Sequence, residues 1–218
     1  GGTNAAERVA GVAVPGLPNV HSHAFQRAMA GLTEIAGDSA DNFWTWRELM
    51  YRFLANLTPD DVEAIAALAY VEMLEAGFTA VGEFHYLHHQ PDGRPYAQVG
   101  EMAARIAAAS ATTGIGLTLL PVFYAQGGFG GAPLKARQRR FATDLAVFER
   151  LVEASVAAVA PLDDAAVGLA PHSLRAVTPE QLSEVLAIRP RGPLHIHAAE
   201  QIGEVEDCLA WSGRRPVE

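Results

Sequence analysis

The chain has 218 residues, half of them hydrophobic, and a net charge of −9. That length supports one large domain burying roughly 70% of its unfolded surface, and the acidic balance with a single lysine, Lys135, excludes a phosphate-tracking nucleic-acid face and favours small-molecule partners. A lone cysteine, Cys208, excludes an internal disulfide and points to a packed thiol in a reducing, cytoplasmic setting, while the apolar runs are too short or too interrupted by charge for a leader or a membrane span.

Val12 to Val20, crossed by Pro15 and Pro18, leads into His21-Ser22-His23. Residues two apart on a strand share a side, so both imidazoles can address one ion. Borderline divalent ions such as zinc favour neutral imidazole nitrogen, and a catalytic site needs only three or four protein ligands plus a water. Helices are expected over Asn42 to Leu57 and Thr58 to Ala76. The second opens on Thr58-Pro59-Asp60-Asp61, which supplies a cap, a first-turn proline and acids where the helix dipole favours them. A strand over Thr79 to Tyr86 precedes a helix from about Tyr96 to Thr112 and a β-branched, apolar run, Ile115 to Tyr124. After the glycine-rich stretch Gln126 to Gly131, either a mobile lid or only a turn, comes a helix from about Ala136 to Ala158. A fourth strand, Ala165 to Ala170, is followed by a short helix, Pro179 to Ile188, capped by Thr178. A fifth strand, Pro193 to Ala198, lies within a second histidine motif, His195-Ile196-His197-Ala198-Ala199-Glu200, and a helix over Ile202 to Trp211 follows it.

Strand-then-helix units in succession imply a parallel sheet with helical crossovers. The runs are apolar on successive residues, as in strands covered by helices. An open doubly wound sheet and a (β/α)8 barrel both fit that pattern. No Gly-x-Gly-x-x-Gly follows the first strand, whereas most polar residues of chemical interest fall at C-terminal strand ends, where a barrel keeps its active site. The chain is therefore read as α/β, carrying about the first five units of a longer TIM-like barrel.

A resemblance rests on Pro18-Asn19-Val20-His21-Ser22-His23-Ala24-Phe25-Gln26-Arg27-Ala28-Met29 and on Phe43-Trp44-Thr45-Trp46-Arg47-Glu48. Gly82-Glu83-Phe84-His85-Tyr86, Pro171-His172-Ser173-Leu174-Arg175 and His195 to Glu200 extend it. From about Val14 to Trp211 the chain resembles the amidohydrolase superfamily. Within it, the chain is similar to the deiminases that release ammonia from N-formimidoyl-L-glutamate in histidine degradation. The resemblance implies that His21, His23 and His197 hold one divalent ion, zinc by preference, and that Glu200 is the proton shuttle. It implies that Gln26, Arg47, Tyr86, His172 and Arg175 bind a small dicarboxylate amidine, each arginine gripping a carboxylate through paired bonds. Ala165 to Ser173 lacks the lysine that bridges two metals in some amidohydrolases, so one ion is expected. His85, His88 and His89 match no ligand position and read as loop or supporting residues. The superfamily's further catalytic His and metal-site Asp would fall beyond Glu218, residues 1–13 would be the tail of a β-sandwich domain, and a homodimer is compatible with the pattern. Without the missing segments, open strand edges are expected to invite aggregation, and activity to be absent.

Blander readings remain at this level. Glu200 can be an exposed acid in the first turn of the last helix, and Arg47 a surface charge lying over Trp44, Trp46 and Met50. A heterocycle deaminase or chlorohydrolase of the same superfamily, or a metal-binding module without activity, also fits. A neutral heterocycle does not need two guanidinium groups.

Overall fold

The computed structural model describes residues 10–33, 43–189 and 192–218. The expected helix start at Asn42 and most of the stretch assigned to a β-sandwich tail lie outside them. Strands β1 (Leu17–Ser22), β2 (Phe78–His85), β3 (Gly116–Phe123) and β4 (Ala165–Val167) lie side by side in chain order, and a two-residue strand, β5 (Ala170–Pro171), also pairs with β3. Every pairing is parallel, with Val81 opposite Leu117 and Phe84 opposite Leu120. Parallel neighbours require crossovers. These are helices α1 (Phe43–Leu54) and α2 (Pro59–Glu75) before β2, α3 (Glu101–Thr113) before β3 and α4 (Leu145–Val159) before β4; α5 (Pro179–Ile188) and α6 (Ile202–Ser212) come later.

Local chemistry starts the helices. Thr58 accepts the Asp61 N–H while Asp61 answers the Thr58 N–H, and Thr178 pairs in the same way with Gln181, each box followed by a proline in the first turn. Their apolar sides cover a core that includes Tyr70, Phe84, Met102, Ile106, Leu119 and Leu120; a second cluster around Phe123, Phe148, Val152 and Val185 seats α4 and α5. No helix among the described residues is long and apolar enough to cross a membrane. Cys208 is packed and buried, its Sγ 3.8 Å from the Ser212 hydroxyl.

The sheet is rolled. The segment around His197 continues beyond β4 and β5, the margin opposite β1, yet the His23 and His197 rings lie 5.2 Å apart. A flat, doubly wound sheet would hold those margins apart, so the described strands form part of a barrel.

Several expected elements are corrected. The run from Ala136 to Ala158 is not one helix but a single 3-10 turn, Ala136–Gln138, a non-helical stretch, and then α4. Asp144 caps α4 by accepting the Val147 N–H, and ahead of it the buried Arg140 donates to the carbonyls of Leu54, Leu57 and His89. The Arg140 carbonyl accepts the N–H groups of His88 and His89, so it is committed to another part of the chain and not to a helical ladder. The fourth strand divides into β4 and β5 around Gly168, where a Cβ would collide with the Pro193 carbonyl. The fifth, Pro193 to Ala198, makes only isolated bridges, Leu194 to Leu169 and His197 to Ser173, because the break at Gly168 interrupts the ladder beside it. Residues 10–16 are exposed and outside the sheet, and α3 begins at Glu101 rather than near Tyr96.

The stretch Gln126 to Gly131 is a tied turn. Gly127 donates to the Ala132 carbonyl, Gln126 bonds Gln181 of α5, and Phe129 stacks on Trp211 of α6 with ring centres 5.5 Å apart. His85, His88 and His89 are buried supports: the Nε2 of His88 bonds the Val122 carbonyl and that of His89 the Ala142 carbonyl.

Candidate active site

His21 lies on β1 and His23 just beyond it, and His197 is the last bridged residue of its segment, so all three stand at C-terminal strand ends. One ring nitrogen from each lies within 4.8 Å of the others. The Nδ1 of His23 donates to the Phe84 carbonyl at 2.9 Å, which leaves its Nε2 lone pair facing the His197 Nε2 at 3.3 Å. Two nitrogens each bound at 2.0–2.1 Å to a tetrahedral ion would be about 3.3 Å apart, so the spacing fits a metal. Burial pushes His23 down to about 3 and His197 to about 4, so both rings are neutral and able to ligate near neutral pH. Behind them Glu83, its carboxyl raised by burial, accepts the Ala24 N–H at 2.8 Å and the Tyr70 hydroxyl at 3.2 Å, fixing the turn that leaves His23.

All nine residues singled out in the sequence line one cavity of about 410 Å³: the three histidines with Gln26, Arg47, Tyr86, His172, Arg175 and Glu200. Gln26 donates to the Tyr86 hydroxyl at 3.0 Å. His172 packs between Tyr124 and His197, ring centres 4.7 and 4.9 Å away, and burial holds it well below the usual histidine range. Arg47 is half-buried in the wall, its Nε donating to the Tyr51 hydroxyl at 3.0 Å, so it is no simple surface charge. Glu200 precedes α6 and does not lie within its first turn. Between it and His197, Ala199 takes a left-handed φ of 56°, an unusual backbone for a residue with a side chain, and this turn brings both neighbours to the cavity.

The structure also joins two residues that the sequence reading kept separate. Arg175 donates to Glu200 at 2.6 Å, and its Nε lies 3.8 Å from the buried Glu204, which accepts the Glu200 backbone N–H at 2.9 Å. The Arg175 Nε and the Glu204 Oε1 are buried with no hydrogen-bond partner among the described residues.

The sequence matches the amidohydrolase family over residues 12–217. The chain belongs to that family. It is 56% identical to formimidoylglutamate deiminase of Pseudomonas aeruginosa over 98% of its own length and 47% of that protein's. It is 33% identical to 5-methylthioadenosine/S-adenosylhomocysteine deaminase of Natronomonas pharaonis, over 94% of this chain and 41% of that one. The chain thus spans about half the length, or less, of these curated relatives. A crystal structure of an amidohydrolase from Brucella melitensis superposes with a TM-score of 0.90 and 60% identity, covering 93% of this chain and 45% of that one. Atrazine chlorohydrolase from Arthrobacter aurescens, complexed with zinc, shares the fold at a TM-score of 0.74 and 19% identity over 93% of this chain and 44% of that one.

The amidohydrolase cavity also contains residues that sequence reasoning left without a role. Tyr51, Tyr124 and Phe141 line it, with Trp46 and Met50. Tyr124 immediately follows β3, and its place at a C-terminal strand end was the signal that could have found it. Tyr51 is one helical turn beyond Arg47, a spacing that puts the two on one face. Glu204 carried no signal beyond its helix.

Proposed function

We propose that the protein hydrolyses the formimidoyl group of N-formimidoyl-L-glutamate, consuming water and giving N-formyl-L-glutamate and ammonia, as a step of histidine degradation. The observation that carries this reading is that two guanidinium groups, Arg47 and Arg175, share one cavity with the histidine trio. A dicarboxylate offers an acceptor group to each, whereas a neutral heterocycle offers no anion to either. The 56% identity to a formimidoylglutamate deiminase supports the same substrate.

His21, His23 and His197 would hold one divalent ion, with zinc the choice that suits three neutral imidazoles. Such an ion supplies Lewis-acid chemistry and makes water nucleophilic near neutral pH. Glu200 takes the proton from the attacking water and delivers it to the nitrogen that leaves as ammonia. Gln26, Tyr86 and His172 shape the wall that presents the formimidoyl carbon to that carboxylate. Arg175, already bonded to Glu200, offers its remaining donors to a substrate carboxylate, and Arg47 takes the second.

The test is kcat/KM for the acid and amide forms of the substrate with the complete wild-type protein and with Arg175→Met. A carboxylate role predicts a loss of about 2–4 kcal/mol on the acid and far less on the amide. Equal losses would make Arg175 structural. A wild-type preference for a neutral heterocycle would replace this reading with that of a heterocycle deaminase.

A further inference from the structure

We propose that Tyr124, with Tyr51 beside it, donates a hydroxyl hydrogen bond to the substrate carboxylate held by Arg47. This rests on the deiminase reading above and adds two specificity-determining residues to it.

A phenol has one proton to give and lone pairs with which to accept. At Tyr124 the direction of the first bond is fixed from outside the cavity. The buried Gln138 accepts the Lys135 N–H through its Oε1 at 2.7 Å, so its amide nitrogen is the atom turned to the Tyr124 hydroxyl, also at 2.7 Å. An amide nitrogen only donates. The Tyr124 oxygen is therefore the acceptor, and its own proton is left over. Tyr51 is in the same condition, because the Nε of Arg47 can only donate and does so to the Tyr51 oxygen at 3.0 Å. Tyr86 shows the alternative: it accepts from Gln26 but passes its proton to the Met50 sulfur at 3.6 Å. Among the described residues neither the Tyr51 nor the Tyr124 proton has an acceptor, although both side chains are at least nine-tenths buried. A ligand that accepts hydrogen bonds would satisfy both.

The surroundings define that ligand as an anion. Both phenols lie within the electrostatic reach of Arg47 and of Arg175, and burial raises both so that each keeps its proton. A carboxylate has about four acceptor positions, enough for the paired bonds of one guanidinium and for two hydroxyls. The rings are set in advance: Tyr51 stacks on Phe141 at 6.0 Å, and Tyr124 packs against His172 at 4.7 Å, so little freedom is lost on binding.

The experiment measures kcat and KM of the complete protein for N-formimidoyl-L-glutamate and for each of its two monoamides. Tyr124→Phe keeps the ring and removes only the donor. It should lower kcat/KM on the diacid by about tenfold to a hundredfold, mostly through KM, and by less than about threefold on one of the monoamides. Gln138→Glu places an acceptor where the donor was and draws the Tyr124 proton out of the cavity, so it should reproduce that pattern with the hydroxyl still present. Tyr51→Phe should give the same pattern, and a thermal melt of each variant identifies any that fails to fold, leaving the others to decide. Equal losses on the diacid and both monoamides, or no loss at all, would overturn the assignment while leaving the deiminase reading intact. A wild-type protein inert towards the diacid would remove both.

Discussion

Within the cavity His23 and His197 are neutral rings tied to strand backbone, the rigid end of a comparison whose charged end is Arg47, Arg175 and Glu200, on a helix and on loops. His23 bonds the Phe84 carbonyl, the His197 N–H bonds the His172 carbonyl, and Glu83 secures the turn beyond His23. Arg175 is held instead by other side chains, Glu200 and Glu204. The difference suits the roles proposed for the two groups. Ligands to an ion need spacing fixed within a fraction of an ångström, which a hydrogen-bonded sheet supplies. A carboxylate-binding guanidinium must exchange one partner for another, which side-chain pairing permits.

The comparison can be broken first at its rigid end. His197→Ala should lower metal affinity by more than about a hundredfold, the scale already reached by changes around a ligand, and should abolish turnover. Elemental analysis that finds this variant at wild-type stoichiometry would remove the histidine trio as the site. At the charged end, Glu200→Gln should keep metal and substrate binding and lower kcat by roughly a hundredfold or more. Near-normal turnover would return Glu200 to being a partner of Arg175 alone.

A smaller effect tests the support behind the charged end. Glu204→Ala leaves the Glu200 N–H and the Arg175 guanidinium without their buried neighbour, and should cost about 1–3 kcal/mol of stability in urea unfolding, with Glu204→Gln costing less. If both variants match the wild type, Glu204 is not what holds that corner.

The last prediction is a slope, and it sharpens the contrast between cavity histidines and those packed behind the sheet. Burial holds His85 at about 4, below the 6.5 of an exposed ring, so the unfolded chain takes up the proton first. The stability it contributes is therefore complete above about pH 6.5 and is lost as the pH falls towards 4, by about 3 kcal/mol once below both values. His85→Asn should flatten the acid limb of a plot of Tm against pH. An unchanged limb would assign acid sensitivity to the other buried rings.

Much of this was legible in the chain because the chemistry is local. Thr58 with Asp61 and Thr178 with Gln181 are boxes closed over three residues, and His21 with His23 needs only the two-residue repeat of a strand. The nine candidate site residues sit in short segments that carry the resemblance to the superfamily, and all but Arg47, on α1, lie at or near a strand end. The break before α4 could not be read, because nothing between Ala136 and Asp144 is a strong helix breaker. It is imposed by Arg140, whose guanidinium reaches carbonyls of Leu54, Leu57 and His89, while its own carbonyl serves His88 and His89.

The sequence by itself determined where α2 and α5 start and which runs alternate as strands and crossovers. Local hydrogen bonds and apolar periodicity decide those features within a few residues. Only the tertiary structure decided that His23 meets His197 across 174 positions, that Arg175 is shared between Glu200 and Glu204, and that the Tyr51 and Tyr124 hydroxyl protons have no acceptor among the described residues. Such contacts depend on how far the sheet rolls and on which buried group claims each donor, and both are settled by packing the whole chain at once.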